Sequence, residues 1–122
     1  MSIISLRGAI TADNNTTADI SSATEELFKQ IIQANSINTE DIIHIIFSVT
    51  KDLNAIYPAK VLREKFDIAD TPLFCTQEAD IHNGLEKCIR ILVLTNSNLT
   101  KKEARHIYLK GAKVLRPDLA DN

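Results

Sequence analysis

The sequence predicts an α/β fold, a mixed β-sheet with one long and one short helix, and three observations carry that expectation. Apolar residues recur with a period of about 3.6 over residues 17–35, the mark of an amphipathic helix. They run almost unbroken through 42–50 and 87–95, as in strands buried on both faces. One long and one short helix cannot cover both faces of a sheet built from such strands. The uncovered face calls for a partner, and the expected one is another copy of the same chain.

The elements follow in order. Residues 2–11 read as a strand, with Ile4, Leu6 and Ile10 on one face and Ile3, Ser5, Arg7 and Ala9 on the other. The polar run from Asp13 to Thr16 is a turn that offers a helix cap. The long helix carries Ile20, Ala23, Leu27, Ile31 and Ala34 on its apolar stripe, with Asn35 as its C-terminal stop. A strand follows over 42–50. Pro58 opens a short helix to about Phe66, since the first helical position has no amide bond to lose. Pro72 to Cys75 is a short strand, Gly84 marks a turn, and 87–95 is the second doubly apolar strand. Residues 105–109 make a last short strand, and about 111–122 form an irregular tail. The order is β-α-β-α-β-β-β in one domain spanning 1–122.

Composition narrows the function classes. The net charge of −2 argues against a nucleic-acid or anionic-membrane partner, either of which would want a basic field. No segment approaches the ~18 apolar residues of a membrane span. The stretch from Met1 to Arg7 lacks the basic start of a signal peptide, and Arg7 interrupts its apolar run. Cys75 and Cys88 form no CxxC pair, which suits free thiols in a reducing cytoplasm.

The three glycines make no GxGxxG or P-loop, so no nucleotide cofactor is implied. His44, His82 and His106 lack zinc spacing, and no metal is expected. The anomaly is charge inside strands. Arg90 sits in Cys88-Ile89-Arg90-Ile91-Leu92, and Arg7 sits mid-strand. A buried guanidinium needs a partner, because it cannot shed its charge. Two readings stay open on the residues alone: an ion pair with a carboxylate at a subunit interface, or a site for an anionic ligand matched to the planar Arg fork. Arg63 and Arg116 are further cations for a ligand with several carboxylates.

Five separated blocks add a resemblance: Leu6-Arg7-Gly8-Ala9, Tyr57-Pro58-Ala59-Lys60-Val61-Leu62-Arg63-Glu64, Cys75-Thr76-Gln77-Glu78, Lys87-Cys88-Ile89-Arg90, and Arg105–Leu109 with Val114–Leu119. In order and spacing, from about residue 3 to 119, they resemble the small bacterial chorismate mutases. The resemblance implies a homotrimer that forms a pseudo α/β-barrel, with clefts between subunits that rearrange chorismate to prephenate without a cofactor, in aromatic amino-acid biosynthesis. It implies that Arg90 and Arg7 serve the ether oxygen and carboxylates, that Tyr108 bonds a carboxylate, and that Glu78 and Cys75 meet the ring hydroxyl. Tyr57 and Leu115 would wall the pocket, with Lys60, Arg63 and Arg116 at its mouth. Two positions depart from the family pattern: Tyr57, commonly Phe, and Phe74, where a smaller hydroxyl residue is expected. A trimeric module that binds a small carboxylate without catalysis is the alternative, with another reaction on a related trimeric fold, such as imine hydrolysis, behind it.

Overall fold

The structure is a computed structural model and describes residues 2–68 and 70–118. Five strands and two α-helices occur in it: β1 (Ile3–Thr11), α1 (Thr17–Asn35), β2 (Ile42–Val49), α2 (Pro58–Lys65), β3 (Leu73–Gln77), β4 (Cys88–Asn96) and β5 (Ile107–Tyr108). The sheet order is β3-β2-β4-β1-β5. β4 runs antiparallel to both β1 and β2, while β3 and β5 run parallel to their neighbours. The mixed sheet expected from the sequence is therefore present.

Both helices lie on one face. Thr16 caps α1 by accepting the Asp19 amide, and Ser36 closes the helix in the left-handed conformation. The α1 stripe of Ile20, Ala23, Leu27 and Ile31 is buried with Leu6, Ile10, Ile45, Phe47, Ile89 and Val93 of the sheet. The stripe differs from the sequence expectation: Thr24 is fully buried within it, and two apolar positions depart. Ala34 is exposed, and Phe28 is fully buried, its ring set edge-on to Phe66 at 4.8 Å. At Gly8 the helix and β5 come too close for a side chain. An added Cβ would stand 2.8 Å from the Ile107 carbonyl oxygen and 3.0 Å from methyls of Leu27 and Ile31.

The opposite face carries Arg7, Ile46, Leu92 and Leu94, brought side by side by the register Arg7–Leu92–Ile46 and Ser5–Leu94–His44. Neither helix covers it. Ile46, Leu92 and Leu94 are only partly buried, and Ile3 and Phe74 are 58% and 63% exposed. Strands apolar on both sides thus have one face filled by helices and one left open in the chain.

Three boundaries shift. β3 runs two residues past Cys75, β5 shrinks to two residues from the expected 105–109, and the tail is not irregular at its start, because Lys110–Leu115 is a 3-10 helix. That helix folds back over β1 and buries Ala112 with Ala9, Cys88 and Tyr108. Residues 119–122, the end of the expected tail and of the last matching block, lie outside the described residues.

Candidate active site

Strand alternation decides which functional side chains can meet. Arg90 on β4 pairs across to Ala9 on β1 and to Ser48 on β2, so its side chain leaves from the open face. Arg7, two residues from Ala9, shares that face. Glu78 directly follows β3, where its amide donates to the Val49 carbonyl at 2.8 Å. Its carboxylate reaches back to Arg90, with Oε2 standing 2.8 Å from Nε.

Arg90 is not buried within the chain, contrary to the expectation for a charge in so apolar a strand. Its side chain is 44% exposed, because it stands on the open face rather than under the helices. The ion pair offered as one reading exists, inside a single chain and with Glu78. Since both partners are also candidate site residues, pairing does not remove them from a site. It preorganises a cation and an anion in mutually fixed positions.

Neighbouring groups fix this end of the sheet. Asp52 accepts the Lys87 amide at 3.0 and 3.1 Å, and the Thr50 hydroxyl accepts the Cys88 amide at 2.9 Å. Lys87 is held with φ 48°, a left-handed turn from which β4 starts at Cys88, two residues before Arg90. Cys88, on the same face as Arg90, is buried, and desolvation pushes its thiol up to about 11 against the opposing pull of Arg90. It therefore stays a neutral neighbour of the guanidinium.

Tyr108 is placed from the other side. The buried Asn35 side chain bonds both the amide and the carbonyl of Arg105, at 2.8 and 2.9 Å, which lays the following residues along β1. His106 Nδ1 accepts the Arg7 amide at 3.0 Å, and Tyr108 pairs with Ala9. Burial lowers the His106 pKa, and the charges of Arg7 and Arg116 lower it further. Leu115 packs onto the Ala9, Cys88, Tyr108 and Ala112 cluster. Arg116 follows it with its fork on Asp118, at 3.2 and 3.1 Å. Arg7, Glu78, Arg90, Tyr108, Leu115 and Arg116 therefore occupy one region. Beside it, Glu78 and Arg90 line a hollow of about 640 Å³ with Thr50, Asp52 and the loop 79–86.

The remaining expected residues lie elsewhere. Cys75 pairs with Phe47, which belongs to the helix-covered face, so its thiol leaves the sheet on the side opposite Arg90. Burial raises the Cys75 pKa, while a hydrogen bond with the Ala59 backbone and the charge of Arg63 oppose the shift. With Tyr57 and Lys60 it lines a second hollow of about 490 Å³, at the β3 edge of the sheet. Tyr57 is 69% exposed, and Lys60 is exposed with Glu64 3.9 Å away. Phe74 stands on the open face of the edge strand. Within one chain Glu78 and Cys75 do not converge.

Ser48, which sequence reasoning passed over, donates to Glu78 Oε2 at 2.8 Å. A lone serine in a strand carries no signal in the sequence; the register of β2 on β4 is what sets it beside Arg90. Among the described residues there is no cluster of three or more His, Cys, Asp or Glu that could hold a metal ion. No helix of the described residues is long and apolar enough to cross a membrane.

The comparisons with known proteins agree with one another. The family model for chorismate mutase type I matches residues 3–119. The chorismate mutase AroH of Bacillus subtilis is 38% identical, over 98% of this chain and 94% of its own length. That of Thermus thermophilus is 37% identical over 93% of each. A solved chorismate mutase from Clostridium thermocellum superposes with a TM-score of 0.88 at 42% identity, covering 91% of this chain and 98% of its own. These relatives are named for a catalysed reaction, so the alternative of a binding-only module is not favoured. Identity at this level over almost the whole length, on the same fold, means that the chain belongs to the type I chorismate mutase family.

Proposed function

We propose that this protein converts chorismate to prephenate by a cofactor-free pericyclic rearrangement, as a step of aromatic amino-acid biosynthesis in the cytoplasm. Its active sites lie between copies of a homotrimer whose sheets close into a pseudo α/β-barrel. The observation that carries this reading is the Arg90–Glu78 pair, set 2.8 Å apart at the end of the open sheet face, with Arg7 on the same face.

The reaction suits such a site. In the chair-like transition state the C–O bond breaks ahead of C–C formation, so negative charge grows on the ether oxygen and positive charge on the ring. No proton moves in the chemical step. The barrier falls in two ways: the carboxylates are held so that the reactive conformer is enforced, and fixed charges meet charge as it develops. Arg90 serves the ether oxygen and a carboxylate, Arg7 stands near the same oxygen or a carboxylate, and Tyr108 bonds a carboxylate. Glu78 faces the ring, where its charge complements the developing cation and its oxygen accepts the ring hydroxyl.

Two features support a site shared between copies. The open face exposes apolar side chains that another chain would bury. The functional residues also fall into two sets on opposite sides of the sheet, one around Arg90 and one comprising Tyr57, Lys60, Arg63 and Cys75 at the β3 edge. A neighbouring copy that brings its edge to the open face would unite the sets, with Phe74 at the seam.

Replacing Arg90 by Lys keeps the charge and removes the fork. Loss of chorismate followed by its diene absorbance should show kcat lowered a hundred- to a thousandfold, about 3–4 kcal/mol, the scale of one preorganised donor. Circular dichroism should be unchanged. Near-normal turnover in Arg90→Lys would overturn the assignment.

A further inference from the structure

We infer that Ser48 is a positioning residue that holds the Glu78 carboxylate in place when Arg90 turns to the substrate; the inference rests on the proposed roles of those two residues. Ser48 Oγ donates to Glu78 Oε2 at 2.8 Å, and the same oxygen stands 2.8 Å from Arg90 Nε. Both contacts fall on one oxygen. Among the described residues Oε1 has no hydrogen-bond partner, which leaves it as the acceptor for a ligand hydroxyl.

The backbone makes this arrangement specific. Ser48 lies between Arg90 on β4 and Thr76 on β3 in the sheet ladder, and Glu78 comes two residues after Thr76. The ladder holds the Ser48 main chain, so the hydroxyl is not needed to form the strand. Its flanking residues Ile46, Phe47 and Val49 are all apolar. A polar side chain at this place answers one need, the carboxylate beside it.

With no ligand, Arg90 and Ser48 both hold Glu78. When a dianion enters, the guanidinium must share its donors with the ligand. The Ser48 bond is the contact with Glu78 that the ligand does not compete for. Without it, the carboxylate is free to follow the guanidinium or to rotate away, and Oε1 loses its aim at the ring. A hydrogen bond to a charged acceptor is among the stronger neutral-donor contacts, so its loss should be visible in rate.

The test is a double-mutant cycle on the full-length protein, with initial rates on chorismate and thermal unfolding for every variant. Ser48→Ala should lower kcat/KM about tenfold with an unchanged unfolding midpoint, and Ser48→Thr should restore it to within about twofold. In a Glu78→Ala background, Ser48→Ala should cost nothing further, because the group it positions is gone. Full activity in Ser48→Ala, or the same loss in both backgrounds, would overturn the positioning role. Near-normal turnover in Glu78→Ala itself would overturn the proposed site, a failure distinct from one confined to Ser48.

Discussion

The two faces of the sheet share the same strands and differ in composition and in fate: one is almost wholly apolar, the other sets Ser5, Arg7, His44, Ser48 and Arg90 among apolar residues. On the covered face, Leu6, Ile10, Ile45, Phe47, Ile89 and Val93 meet α1 and α2 and are shut from water. On the open face, Ile46, Leu92 and Leu94 alternate with Ser48, Arg7 and Arg90 and remain partly accessible. The first face is filled with the chain's own helices and stabilises the domain. The second mixes apolar surface with fixed charge, which suits an interface that also carries a site. Stability and function are thus separated by nothing more than strand alternation. Substitutions one residue apart on the same strand should have unlike consequences.

The largest effect on the fold belongs to the covered face. Phe28→Ala empties the space between Phe66 and the sheet and should cost about 3–5 kcal/mol in urea unfolding. A cost below about 1 kcal/mol would mean that the helix layer is not the main core. On the open face the expected loss is one of assembly. Leu92→Asp places a carboxylate where another copy should pack, a cost of about 1–3 kcal/mol or up to roughly a hundredfold in association. Sedimentation should show lighter species than the trimer proposed for the unmodified chain, and an assembly of unchanged size would remove Leu92 from the interface.

The smallest effect concerns pH. His106 in the folded chain has a pKa below its ordinary value, so the unfolded chain takes up the proton first as pH falls. Stability should be complete above about pH 6.5, the ordinary histidine value. It should decline as pH drops toward the lowered folded value, where protonated Nδ1 can no longer accept the Arg7 amide. His106→Gln should flatten that decline in the melting temperature, and an unaltered profile would contradict it. Turnover at saturating chorismate should stay nearly flat from about pH 6 to 9, since no proton moves in the chemical step. The Cys88 thiol beside Arg90 remains protonated throughout that range.

Much of the fold was legible because burial writes a period into the sequence. Residues 17–35 and the strand cores around 42–50 and 87–95 came directly from it. Parity on β1 separated Ile4, Leu6 and Ile10 from Ile3, Ser5 and Arg7 as found, although Ala9 is buried under the 3-10 helix. Phe28 escaped because a stripe drawn through Ile20, Leu27 and Ile31 stops one position short of it. Lys110–Leu115 gave no signal, since its order comes from packing on Ala9 of β1, at the opposite end of the sequence, and on Cys88 of β4. Arg7, Glu78, Arg90 and Tyr108 were identified as a group by resemblance, and that Cys75 faces away from Arg90 follows only once the register of β3 on β2 and of β2 on β4 is known. Ser48 was missed because a lone serine in a strand carries no pattern. Only the strand register puts it beside the carboxylate.

The central claim is that one active site needs the Arg90 region of one copy and the β3 edge of another. Mixing two inactive variants tests it. Arg90→Lys spoils the first region. Tyr57→Asp spoils the second, by placing an anion in an anion site at a helix N-cap that accepts Asp without harm to the fold. Equal amounts of the two, unfolded and refolded together, should regain about a quarter of the unmodified activity, because one in four neighbouring pairs in a closed ring then combines two intact halves. Activity no higher than that of the two variants refolded separately would contradict a shared site.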